Sequence, residues 1–315
     1  MRAAAHVAHR CTSAAPGRAI TRAVIVTMGP ELIACYWTLS GPATPLRPTQ
    51  EASPYDLTER LQAAAKAGYC GIGLGFEDLE ACVERHGFAE ISRMIADNGI
   101  KYLELEALLD WFTSGDRRQA SDHTRARLLQ AAEKLGARHI KIGGDLSGAT
   151  WPLGQLIESF ADLCSQAALV GAQVALEPMP FTSIRDPAVG LEIVSGADHP
   201  NGGLLIDIWH VARARFPYKG LTVIPSQWIT SIELNDAPAA PTASNPLVDT
   251  TCGRLLCGEG DLDVAEFVRC IAATGYEGPY AVEILSEAHR ELKPSVAAER
   301  SYRTTMDQFS RTAEL

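Results

Sequence analysis

The chain has no stretch approaching the roughly 20 consecutive apolar residues that cross a bilayer, so no membrane partner is expected. It is also short of positive charge. Lys and Arg number 28 against 38 Asp and Glu, a net charge of −10. Residues 1–27 hold Arg2, Arg10, Arg18 and Arg22 and no acid, which leaves −14 on the remainder. An acidic body repels nucleic-acid backbones, so nucleic acid is not expected as a partner either. The eight cysteines (11, 35, 70, 82, 164, 252, 257 and 270) form no CxxC pair. Several lie in apolar stretches, which reads as reduced thiols of a cytoplasmic protein. No GxGxxG or GxxxxGK[ST] follows the first strand candidate, so the phosphate loop of an open nucleotide-binding sheet is missing.

What is present is apolar mass. Of the 315 residues 46% are hydrophobic, enough for a large core and too many for a disordered, collagenous or disulfide-scaffold protein. The length would suit two average domains, but one α/β barrel of about 250 residues fits as well. Residues 1–27 are rich in Ala, Arg, Ser and Thr. They resemble a transit peptide but lack an apolar core for secretion, and they are read as an extension ahead of a domain spanning 28–315.

From Glu31 onward, short β-rich runs alternate with amphipathic ones. Strands are expected at Leu32–Thr38, Gly71–Gly75, Lys101–Leu105, His139–Gly143, Gln173–Glu177, Leu204–Asp207, Ile229–Leu234 and Tyr280–Ile284. Gly68 and Gly136 suit the C-terminal caps of helices over Leu57–Ala67 and Arg125–Leu135, the latter opened around Ser121. Asp263–Ala273 reads as a further helix. Eight such units predict a single-domain (β/α)8 TIM barrel. The longer insertions, Gly41–Pro54, Asp110–Arg118 and Ala237–Leu256, all follow strands and would build the catalytic mouth.

Four late strands end in an acid: Glu177, Asp207, Glu233 and Glu283. A carboxylate buried at a strand end is costly without a proton, a counter-ion or a metal. On a closed barrel these four ends converge, and like charges a few ångströms apart cannot all ionise without a cation. Oxygen ligands favour a hard divalent ion, Mn²⁺ or Mg²⁺ ahead of Co²⁺ or Zn²⁺.

Five phrases carry a family resemblance: Leu-Glu177-Pro, Leu-Ile-Asp207-Ile-Trp-His210, Glu233-Leu-Asn-Asp236-Ala, Arg254-Leu-Leu-Cys-Gly258-Glu-Gly260-Asp-Leu-Asp263 and Val-Glu283-Ile. Through them the chain resembles the xylose-isomerase-like TIM-barrel family, usually described as sugar phosphate isomerases/epimerases, over about Glu31 to Phe309. The resemblance implies metal ligands at 177, 207, 233 and 283, with Glu177 and Glu283 doubling as acid and base. It also implies a substrate-binding role for Arg254 and pairing of barrels into a homodimer or homo-oligomer. Position 233 departs from the pattern, being commonly His or Gln in relatives. A glutamate there either favours a hard metal and leaves one carboxyl protonated, or takes 233 out of the ligand set.

Such a site would abstract the proton next to the carbonyl of a sugar-like ketone, such as a ketose or inosose, through an enediolate. Return on the other face gives epimerisation, transfer to the neighbouring carbon isomerisation, and loss of a β-hydroxyl dehydration. The leading expectation is a metal-dependent isomerase or epimerase. One alternative is a lyase on the same site, of dehydroshikimate-dehydratase or 3-keto-glycoside-cleaving type. Another is a non-catalytic sugar-binding or partner subunit. A DNA-repair endonuclease on this barrel would need a histidine-rich site and a basic face, which 8 His and −10 do not supply.

Further candidates surround the acids. His210 would contact a substrate hydroxyl or support a ligand. Lys141, closing strand four, would neutralise the acids, act as a base or pair outward with Asp145. Alternation is expected to bring one of Glu104 and Glu106 inward as a partner for Lys141. Trp37 and Trp111, with Trp209 beside His210, offer aromatic faces for the C–H faces of a sugar. Only Arg117-Arg118 forms a basic pair near the mouth, so an unphosphorylated substrate is expected.

Overall fold

The computed structural model describes residues 29–46 and 50–313, so the segment read as an N-terminal extension lies outside the described residues. Eight parallel strands close into a barrel in sequence order. They are β1 (Leu32–Ala34), β2 (Gly71–Gly75), β3 (Tyr102–Leu108), β4 (His139–Gly143), β5 (Gln173–Glu177), β6 (Gly202–Asp207), β7 (Ile229–Leu234) and β8 (Tyr280–Val282). Closure pairs Leu32, Ile33 and Ala34 of β1 with Tyr280, Ala281 and Val282 of β8. This is the single-domain (β/α)8 TIM barrel that the pattern predicts. Among the described residues no helix is long and apolar enough to cross a membrane. The seven described cysteines are all free.

Local chemistry sets the helix ends. Asp56 caps Leu57–Ala67 by accepting from the Thr58 N–H, and Asp263 caps Val264–Ala272 through Glu266. Gly68 ends the first of these helices at φ 112°, a backbone angle that a side chain resists; a Cβ there would also sit 2.6 Å from the Tyr302 ring.

Several boundaries differ from expectation, among them the start of β6, which comes two residues early at Gly202. β1 stops at Ala34, because the chain turns into a one-turn helix, Tyr36–Leu39, whose Tyr36 N–H is held by Glu106 Oε1 at 3.1 Å. β8 ends at Val282, so Glu283 stands just past the strand. β3 runs on to Leu108, with its register against β4 shifting between Leu105 and Leu108. The helix expected over Arg125–Leu135 starts at Gly115, not near Ser121. Its first turns are polar and held by Arg117–Asp110 and Arg118–Asp122 ion pairs, so they show no apolar period. Ser121 is instead a buried tie whose hydroxyl donates to the Leu109 carbonyl at 2.6 Å.

Inward and outward strand faces differ in kind. Outward residues such as Leu74, Leu105, Ile142, Leu176, Ile206 and Ile232 join one continuous apolar core with the helices. The lumen is usually filled by layers of Val, Ile and Leu. Here its apolar residues are a separate small cluster of Ile33, Cys35 and Ala281 together with Ala175 and Leu205, and charged side chains occupy much of the rest. Lys141 of β4 touches Glu233 of β7 and the Glu283 that follows β8, which it can reach only through the lumen.

Candidate active site

The four strand-end acids converge as the pattern predicts. Oxygens of Glu177, Asp207, Glu233 and Glu283 all lie within 4.8 Å of one another, and all four residues are buried. Two cations stand among them. Lys141 Nζ is 2.7 Å from Glu233 Oε1, 2.8 Å from Glu283 Oε1, 3.1 Å from Glu106 Oε2 and 4.0 Å from Glu177 Oε2. Arg254 Nη1 is 2.6 Å from Asp207 Oδ2 and 2.8 Å from Glu283 Oε2. Lys141 therefore does not pair outward with Asp145, which takes Arg117 at 2.6 Å and Trp151 Nε1 at 2.8 Å.

Each acid is held differently. Asp207 is fully engaged. Its Oδ1 accepts from the Trp209 and His210 N–H groups and so caps the helix Ile208–Arg213, while its Oδ2 accepts from Arg254 and from Asn235 Nδ2 at 3.1 Å. Glu283 has a cation on each oxygen. Glu177 is freer: His210 Nε2 lies 3.3 Å from its Oε1 but out of hydrogen-bonding alignment, and that oxygen has no hydrogen-bond partner. Glu233 Oε2 is likewise unpartnered, and its Oε1 accepts from the Cys35 thiol at 3.4 Å.

Electrostatics sharpen these differences. Burial alone would raise the Glu177 carboxyl, but Lys141 and His210 beside it hold it down at about 2. Burial and then the neighbouring Glu283 carboxylate push Glu233 well above the ordinary range, despite Lys141. Burial also raises Glu283 against Lys141 and Arg254. Burial works against the charge on Lys141, and Glu106, Glu177, Glu233 and Glu283 together more than restore it. One acid ready to accept a proton thus stands near one inclined to keep one.

These donors suit a divalent cation. Five buried carboxylates (106, 177, 207, 233 and 283) face two cations, and buried oxygens of Glu177 and Glu233 lack partners. All-oxygen ligation with a nearby imidazole matches a hard or borderline ion.

A cavity of about 380 Å³ opens above this floor, lined by Glu106, Lys141, Glu177, His210, Arg254 and Glu283 below and by strand-to-helix loops around it. All three insertions after strands contribute, through Leu46, Arg117 and Leu247 among others. His210 is buried, and Arg254 Nη2 lies 3.4 Å from its Nε2. Arg254 is 1% exposed and fully occupied by acids and by Thr250, which suits bracing the floor better than greeting a substrate.

Trp37 lines the cavity, edge-on to Tyr36 at 4.8 Å. Trp111 does not line it. Its indole donates to the Gly143 carbonyl at 2.8 Å and packs on Phe112 and Phe160, so it belongs to the core and not to the mouth. Trp209 is also buried, against Arg254. Glu104 and Glu106, two residues apart on one strand, share a face, and both are buried inside. Glu106 meets Lys141, whereas Glu104 lies 3.5 Å from His139. Sequence reasoning passed over Cys35, Asn235, Met179 and Phe181. Only Asn235, inside a quoted phrase, carried a signal.

Comparison with known proteins agrees with this fold. The sequence pattern of the family described as "Xylose isomerase-like TIM barrel" matches residues 61–311. A 3-dehydroshikimate dehydratase from Pseudomonas aeruginosa is 26% identical over 268 residues, 82% of this chain; the chain spans only 40% of that relative's length. A solved xylose isomerase-like TIM barrel/4-hydroxyphenylpyruvate dioxygenase fusion protein superposes with a TM-score of 0.79 at 23% identity, over 90% of this chain and 43% of the fusion. The IolI protein with a bound zinc atom superposes at 0.78 and 18%, over 90% and 99%. At these identities the two structures speak for the fold alone.

Proposed function

We propose that this chain, which belongs to the xylose isomerase-like TIM barrel family, is a divalent-metal-dependent lyase that dehydrates a small β-hydroxy ketone. The observation that carries the reading is the inequality of the two glutamates on opposite walls. Glu283 is clamped between Lys141 and Arg254, while Glu177 is ionised, partly free and beside His210. Epimerisation by two bases wants both carboxylates available; elimination wants one base and a route for its proton.

A divalent ion held by Glu177, Asp207, Glu233 and Glu283 would polarise the ketone and acidify the neighbouring C–H. Glu177 takes that proton. His210, 3.3 Å away, is placed to carry it to the β-hydroxyl, whose C–O bond breaks as the C=C bond forms, releasing water. Lys141 and Arg254 hold Asp207, Glu233 and Glu283 in place, so that charge developing on the substrate meets a rigid floor. The dehydratase relative supports the same outcome, and the oxygen-rich ligand set favours Mn²⁺ or Mg²⁺, with Zn²⁺ as in the IolI neighbour also suited.

Epimerisation is the second reading, because Glu177 and Glu283 both line the cavity. Metal-loaded protein is incubated in D₂O with cyclic and open-chain β-hydroxy ketones. The lyase reading expects a new absorbance of a conjugated enone or aromatic product. Deuterium uptake with inversion and no loss of water would favour the epimerase, and neither change in fully loaded protein would refute both.

A further inference from the structure

Above the charged floor, the cavity is ringed by half-exposed apolar side chains that different strand-to-helix loops supply. Trp37 and Leu46 follow β1, Phe76 follows β2, Leu109 follows β3, and Met179 and Phe181 follow β5. Several of the hydroxyls at this level are already engaged within the protein. The Ser121 hydroxyl donates to Leu109, the Thr251 hydroxyl donates to Leu247, and the Thr250 hydroxyl accepts from Arg254. Arg117, the one cation of the rim lining, is bound to Asp110 and to the fully buried Asp145. A substrate hydroxylated along its whole length would set hydroxyls against the Trp37, Phe76, Leu109, Met179 and Phe181 side chains, which offer them no partner. Charge points the same way. The lining holds six carboxylates (Glu51, Glu77, Glu106, Asp110, Glu177 and Glu283) against Arg117, Lys141 and Arg254, and it stays net negative after a divalent ion is added.

We infer that the substrate of this site is uncharged and amphiphilic: a hydroxy-ketone head that meets the carboxylate floor, carrying an alkyl or aryl group that fills the apolar collar. This rests on the proposed lyase reading for its head group, and it goes beyond that reading in the body it assigns. It also separates this chain from a site built for a carboxylated ring such as dehydroshikimate, whose anion would face a wall of its own sign.

The test uses three ligands with the same vicinal-oxygen head: catechol, 4-tert-butylcatechol and 3,4-dihydroxybenzoate. Their binding to the full chain loaded with redox-inert Zn²⁺ is followed by titration calorimetry. The expected order is tert-butylcatechol tightest, by about tenfold over catechol for the area the collar buries, with dihydroxybenzoate weaker than catechol. Phe181→Ala should reduce the tert-butyl advantage over catechol to about threefold or less. Equal affinities, or dihydroxybenzoate as the tightest ligand, would overturn the inference and leave the lyase reading standing. Protein that takes up no Zn²⁺ and binds none of the three would overturn the lyase reading, and the inference with it.

Discussion

The two faces of the barrel strands lie one backbone thickness apart, yet Leu176, Ile206 and Ile232 point into the shell while their neighbours Glu177, Asp207 and Glu233 point into the lumen. The shell is continuous, apolar and closed by capped helices; its stability rests on area and packing. The lumen holds small residues (Gly73, Ala175, Ser231, Ala281) that leave room for Glu104, Glu106, His139 and Lys141, and its cohesion rests on paired charges. Because a buried charge tolerates the loss of its partner badly, the same lumen that supplies the chemistry is also electrostatically brittle. The shell can be altered without touching the reaction, whereas the lumen cannot be altered without touching both.

Five substitutions sharpen that contrast. Glu177→Gln removes the proposed base and one acid from an acid-rich floor; proton exchange from a bound hydroxy ketone should fall at least about 10³-fold while urea stability holds or rises. Loss of stability with exchange intact would place Glu177 on the structural side. Lys141→Met strips the cation from Glu106, Glu233 and Glu283, and urea titration should show a loss of about 3–5 kcal/mol. Phe160→Ala in the shell should cost a similar 3–5 kcal/mol, yet leave exchange per folded molecule unchanged.

Glu104 gives the pH dependence. Burial raises its carboxyl to about 7, so the fold favours the protonated form. The stability this gives is complete below the unfolded value near 4.5 and is lost as pH rises through 7. Glu104→Gln, which mimics the protonated state, should be more stable than wild type at pH 8, by on the order of 3 kcal/mol, and nearly equal to it at pH 4.5. The smallest effect belongs to the shell's edge, where Asp56→Ala should cost about 1 kcal/mol by uncapping Leu57–Ala67.

Much of this was legible in the sequence, for identifiable reasons. Strand-end acids stand out because an apolar run that ends in a carboxylate has few structural explanations, and Gly68 and Gly136 mark the ends of their helices. Aromatic residues were less readable. Trp37 and Trp111 both follow strands, and only the Gly143 carbonyl and the Phe112 and Phe160 rings draw Trp111 into the core. The inward turn of Lys141 depends on register across the barrel, which local alternation beside a Gly pair does not determine. The apolar collar was invisible because its members come from separate loops, each with only one or two apolar residues that look like ordinary packing.

If the lumen acids hold a divalent ion beside Glu177, metal content per chain reports it. Protein purified without chelator, then supplied with Mn²⁺ or Zn²⁺ and desalted, is measured by elemental mass spectrometry beside Glu177→Gln and Asp207→Asn. The account predicts one divalent ion per wild-type chain and a large loss in both variants. A wild-type chain that retains no ion, while folded and with its lumen intact, would contradict it.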